Sequence, residues 1–125
     1  MSRNPTIHFR VKRLQQIGVL KGFTAAVDPR EAGLPDVAFI KLKIASGVMP
    51  HLTRDRLEEL AGKFGKLEEV KFIATSVESA EFIAMTATND RRRTNEIAKQ
   101  MEQSGGIESI DVVRFSDILK GHFPL

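Results

Sequence analysis

The densest run of side chains able to hold a ligand is Thr75-Ser76-Val77-Glu78-Ser79-Ala80-Glu81. It packs three hydroxyls and two carboxylates into seven residues. A small zwitterion needs a carboxylate for its ammonium group and hydroxyl or backbone N–H donors for its own carboxylate. Thr75, Ser76, Glu78, Ser79 and Glu81 can supply both. An ordinary polar hairpin has the same composition, so that reading stands beside the first. Signals for catalysis are weak. The histidines, at positions 8, 51 and 122, are scattered and lack the spacing of metal ligands. Cysteine is absent, which excludes a disulfide, a thiolate metal site and a Cys nucleophile. Gly105-Gly106 is an isolated pair after a predicted helix, a stop signal rather than a phosphate loop. Glu58-Glu59 and Glu68-Glu69 read as solvated charges. No catalytic residue, metal or cofactor is expected, and the chain does not read as an enzyme.

A second cluster is basic. Residues 1–30 carry six Lys or Arg side chains against one acidic residue, Asp28, while the whole chain is only +3. Residues 31–125 therefore hold a slight acidic excess. Such segregation is the expected footprint of a nucleic-acid contact. A solubilising surface or an interface with an acidic partner would look similar. Arg91-Arg92-Arg93 forms a smaller basic run at a predicted helix start, where the dipole disfavours cations. It reads as a surface run or as an anion or subunit contact.

The elements that position these clusters follow from periodicity. Residues 6–16 read as a helix, with Ile7, Val11 and Leu14 on one stripe and His8, Phe9, Lys12 and Arg13 on the other side. Arg10 sits on the border. A basic helix of this kind fits a major groove, and so does a lone helix docked on a core. A complete helix-turn-helix needs an earlier bracing helix, and only five residues precede this one. A short extended run and the Asp28-Pro29 turn come next.

Beyond residue 34, Ala38, Ile40, Leu42 and Ile44 fall at period two on one uniformly apolar face, with Val37, Phe39, Lys41 and Lys43 on the other, as in a strand. A helix carrying Leu57, Leu60, Ala61 and Phe64 comes next, preceded by Pro50 and Thr53 and stopped by Gly65. Strands are predicted over residues 70–75 and 81–87. Thr88-Asn89-Asp90 then offers capping groups for a helix through Ile97, Ala98 and Met101. Residues 107–115 make the last strand, and residues 116–125 are expected to trail away. The order β-α-β-β-α-β puts both helices on one side of an antiparallel sheet. Its other face, with Phe39, Lys41 and Phe72 or Ile73, is left without cover inside the chain. A sheet-to-sheet homodimer is therefore expected. No stretch approaches the ~18 apolar residues of a membrane span. The start, Met1-Ser2-Arg3-Asn4-Pro5, lacks the apolar run of a secretory signal, and a cytoplasmic location is expected.

The run from Thr6 to Ala25, Thr-Ile-His-Phe-Arg-Val-Lys-Arg-Leu-Gln-Gln-Ile-Gly-Val-Leu-Lys-Gly-Phe-Thr-Ala, resembles the recognition helix and following strand of the Lrp/AsnC transcriptional regulators. Asp28-Pro29 and Gly33-Leu34 resemble the linker that follows in that family. The β-α-β-β-α-β remainder is similar to the family's amino-acid-sensing domain. The resemblance implies an α+β, ferredoxin-like domain over residues 35–125 behind a partial helix-turn-helix and linker at 1–34. It implies a DNA-binding regulator that dimerises, assembles further into octamers or rings, and binds amino acids between subunits. His8, Phe9, Arg10, Lys12 and Arg13 would then face double-stranded DNA. Two departures stand out. The family's first DNA-binding helices are missing, so an N-terminally truncated chain is expected. The family's Gly-x-x-Asp turn is replaced by Glu78-Ser79-Ala80-Glu81. The alternative is an assembly and ligand-sensing module without DNA binding of its own, acting by co-assembly with full-length relatives.

Overall fold

The computed structural model describes residues 28–45 and 50–124, together with Arg10, Lys12 and Arg13. Those three are helical and exposed. His8, Phe9 and the rest of the predicted N-terminal helix and linker strand lie outside the described residues.

From Asp36 onward the elements are β1 (Asp36–Ile44), α1 (Pro50–Phe64), β2 (Val70–Ser76), β3 (Glu81–Thr88), α2 (Arg91–Glu102) and β4 (Ile107–Arg114). The four strands form one antiparallel sheet in the order β2-β3-β1-β4. This is the ferredoxin-like topology that the β-α-β-β-α-β order predicts.

Period-two alternation sends Ala38, Ile40, Leu42 and Ile44 of β1 to one face, and all four are buried. Phe82 and Ala84 of β3 join them. Leu57, Leu60 and Phe64 from α1 and Ile97, Ala98 and Met101 from α2 close the same core, so both helices cover one face. Phe64 meets Phe82 edge-on, with ring centroids 6.5 Å apart. Thr53 lies inside α1 and is buried, rather than preceding the helix.

The helix ends have local causes. Gly65 closes α1 because a Cβ there would come within 2.6 Å of the Ala61 carbonyl oxygen. Asp90 caps α2: its carboxylate accepts the Arg93 N–H at 2.8 Å. Gly105 and Gly106 both take positive φ, which lets the chain reverse into β4. Arg56 of α1 donates to the Ser104 and Gly105 carbonyls, each at 2.7 Å, and so ties that reversal to the other helix.

Three expectations change. The tail does not trail away: Phe123 is buried against Val37 and Ala87, at one end of the face opposite the helices. Burial of that ring anchors the tail to the sheet. Ile73 packs into the helix-covered core, which leaves Phe72 outward. Glu69 is not a solvated charge, because the Arg93 guanidinium grips it with two N–H groups, one at 3.0 Å. The same contact removes Arg93 from the free basic run, leaving Arg91 and Arg92 exposed.

Candidate functional site

The face of the sheet away from the helices is built by register. Phe39 of β1 pairs with Met85 of β3 and with Val113 of β4, and Met85 pairs with Phe72 of β2. Paired residues in an antiparallel sheet point to the same side. Phe72, Met85, Phe39 and Val113 therefore form one apolar row across all four strands. Phe72 is 43% exposed and Val113 52%. The next row is Ala74, Ile83, Lys41 and Asp111. The row after that is Ser76, Glu81, Lys43 and Ser109. The face thus grades from apolar, beside the tail, to charged, beside the β2–β3 turn.

Lys41 sits on that gradient. Its ammonium lies 3.4 Å from the Glu81 carboxylate and 4.0 Å from that of Asp111. Glu81 is held below the ordinary carboxylate range by a hydrogen bond from Ser79, and then by Lys41 and Lys43. The Ser79 and Ser76 hydroxyl oxygens lie 2.7 Å apart. Ser76, Ser79 and Glu81 thus come together at the charged end of the outer face. Thr75 does not join them: it pairs with Phe82 and so points to the helix side. Glu78 is exposed at the tip of the turn. Ala80 follows with a φ of 54°, a conformation that suits glycine better than alanine.

Phe39, Lys41 and Phe72, expected on the open face, all lie there. Sequence reasoning left out Met85, Val113, Ile83 and Asp111, which complete the surface. The signal was available, because β3 and β4 alternate as β1 does. What was missing was the register that aligns the four strands. A partly buried polar network escaped it as well. The Thr94 hydroxyl donates to the Asp36 carboxylate and lies 2.7 Å from the Thr88 hydroxyl, while Arg114 donates to Asp36 at 3.3 Å and to Asn95 at 2.7 Å. This network joins β1, β3, β4 and α2 and is structural. Among the described residues, no three His, Asp or Glu side chains converge as a metal site. No helix among them is long and apolar enough to cross a membrane.

No protein-family model matches the chain. Individual proteins do. The HTH-type transcriptional regulator FL11 from Pyrococcus furiosus is 29% identical over 117 residues, covering 94% of this chain and 70% of the relative. Among solved structures, the transcriptional regulatory protein PF0864 of Pyrococcus furiosus, a member of the AsnC family, superposes with a TM-score of 0.73 at 24% identity. It covers 94% of this chain and 73% of its own. The transcriptional regulator NMB0573 of Neisseria meningitidis, solved as a complex with L-Met, gives a TM-score of 0.72 at 18% identity. That match covers all of this chain and 77% of the other. At these identities the structural likenesses establish the fold. FL11 and its counterparts in Pyrococcus horikoshii and Pyrococcus abyssi carry the name of a transcriptional regulator.

Proposed function

The chain is a homologue of the Lrp/AsnC transcriptional regulators, and on that premise we propose that residues 36–124 are the assembly and effector-sensing module of such a regulator. The module dimerises through the outer face of its sheet and acts by co-assembly with relatives that bring complete DNA-binding domains. One observation carries this reading: the apolar row Phe72–Met85–Phe39–Val113, half-open to water at both ends on a face that neither helix covers. Exposed apolar surface of this kind marks an interaction site. A second copy related by a two-fold axis would match it row for row. Sedimentation at micromolar concentration tests the idea. A dimer is expected for the natural chain, and a folded monomer for Phe72→Glu, which places a charge in the row. A natural chain that sediments as a monomer refutes the reading.

The effector reading rests on Ser76, Ser79 and Glu81, which offer hydroxyl donors beside a carboxylate. A free amino acid has the matching chemistry, and the relative solved with L-Met carries one. A thermal-shift series with amino acids checks it. The expected response is a rise in melting temperature that Glu81→Gln removes.

A second reading, DNA binding by the chain itself, is favoured by the six basic residues among the first 30. Arg10, Lys12 and Arg13 present their charge on an exposed helical surface; His8 and Phe9 complete the proposed contact. On this reading the affinity for duplex DNA falls steeply with salt, and each phosphate contact removed lowers the slope by about 1. A flat salt dependence would reject it and leave the assembly module standing.

A further inference from the structure

A cleft of about 310 Å³ opens at the end of the molecule remote from the β2–β3 turn. Its walls are the turn that leads into β1, residues 28–35, and the tail that leaves β4, residues 115–123. Its floor is apolar: Val37, Phe115 and the buried Phe123. Its walls carry charge of both signs. Asp28 and Arg30 stand on one side, Asp117 and His122 on the other.

These groups have capacity to spare. The Arg30 guanidinium donates to the Ser116 carbonyl, which bridges the two walls. A guanidinium has five N–H donors, so several remain for a ligand oxygen. One oxygen of Asp28 accepts the Arg30 backbone N–H at 2.9 Å, and the other has no such bond among the described residues. Among those residues neither Asp28, Arg30 nor Asp117 belongs to an ion pair. An apolar floor with a few converging polar groups is the usual make-up of a small-molecule site, and the volume lies at the small end of the usual range of about 300–1,000 Å³.

We propose that this cleft is a binding site for a small zwitterion with an apolar body. Arg30 takes the ligand's carboxylate in charge-assisted hydrogen bonds. Asp117, with the free oxygen of Asp28, takes its ammonium. The apolar body lies on Val37, Phe115 and Phe123. The site is separate from the Ser76–Ser79–Glu81 turn, and every group named for it comes from one chain. An occupant would bridge the segment entering β1 to the tail leaving β4, and so stiffen the stretch just C-terminal to the basic segment.

The test is an amide NMR titration of the full chain with L-phenylalanine, phenylalaninamide and 3-phenylpropanoate. The second probe lacks the carboxylate and the third lacks the ammonium. Saturable shifts at Val37 and across residues 115–123 are expected with L-phenylalanine at millimolar concentration. Each of the other probes should bind at least about tenfold more weakly. Arg30→Gln and Asp117→Asn should each weaken L-phenylalanine by a similar factor, and Glu58→Gln, at an exposed position of α1, should leave it unchanged. Asp117→Asn keeps the test sound if losing the Arg30–Ser116 bridge loosens the tail, because Asp117 makes no hydrogen bond within the described residues. The proposal is overturned if no probe shifts the cleft, or if the cleft shifts survive both charge substitutions. It also fails if shifts appear only at residues 75–81, a result that would still support the effector turn.

Discussion

The two faces of this sheet are made by the same strands and have opposite fates. On the helix side, Ile40, Leu42, Phe82 and Ala84 are wholly buried, and each apolar side chain meets another. On the outer side, Phe39, Met85, Phe72 and Val113 line up equally well but meet water, except where Phe123 folds over Val37 and Ala87. The first face contributes stability inside one chain. The second leaves apolar surface uncovered within the chain. Apolar content therefore does not decide which face of the sheet becomes core in this protein; cover does.

The sharpest way to break that comparison is to cut one Phe on each face. Phe82→Ala, on the covered side, is expected to cost about 3–5 kcal/mol. Phe72→Ser, on the open side of an edge strand, is expected to cost less than about 1 kcal/mol in the monomer. Urea denaturation of both variants at low protein concentration measures the difference. Equal losses would mean that the outer face already contributes to the fold of one chain.

A smaller effect probes the covered face for imperfection. The Thr86 hydroxyl is fully buried toward the helices and has no hydrogen-bond partner among the described residues. Thr86→Val replaces it with a methyl group of similar shape and should raise stability by about 1 kcal/mol. Chemical denaturation reads this directly, and a loss of stability would show that the hydroxyl does find a partner.

The Arg93–Glu69 pair sits at the margin of the covered layer, with both side chains a little over a quarter exposed. Arg93 holds Glu69 below its ordinary carboxylate value of 4.5. Because the folded-state value is depressed, the contribution is complete above about pH 4.5 and fades as pH falls through the lower folded value. Glu69→Gln should therefore cost about 0.5–1 kcal/mol at neutral pH, discounted for solvent screening, and nothing in strong acid. Thermal melts of the natural chain and the variant across pH should converge on the acid side.

The smallest effect lies at the β2–β3 turn. Ala80→Gly relieves a left-handed backbone but removes a buried methyl group. The two contributions are each about 0.5–1 kcal/mol and opposite in sign, so the net change should stay within about 0.5 kcal/mol. A larger gain in a melting experiment would show that the turn is strained beyond its φ angle.

Much of this was legible in the residues themselves. The alternation of Ala38, Ile40, Leu42 and Ile44 against Val37, Phe39, Lys41 and Lys43 determines a strand and which side chains share a face. The spacing of Leu57, Leu60 and Phe64, and of Ile97, Ala98 and Met101, determines two amphipathic helices. The run from Thr6 to Ala25 determines the resemblance to a DNA-binding regulator. These are local properties, set by backbone geometry that repeats every two or 3.6 residues. Only the tertiary structure decided that Phe72, Met85, Phe39 and Val113 share one row, that Glu69 meets Arg93, and that Phe123 returns to cover Val37. Each of those contacts joins residues distant in sequence. Strand register and the docking of a tail depend on the packing of the whole domain, and no short stretch of chain encodes them.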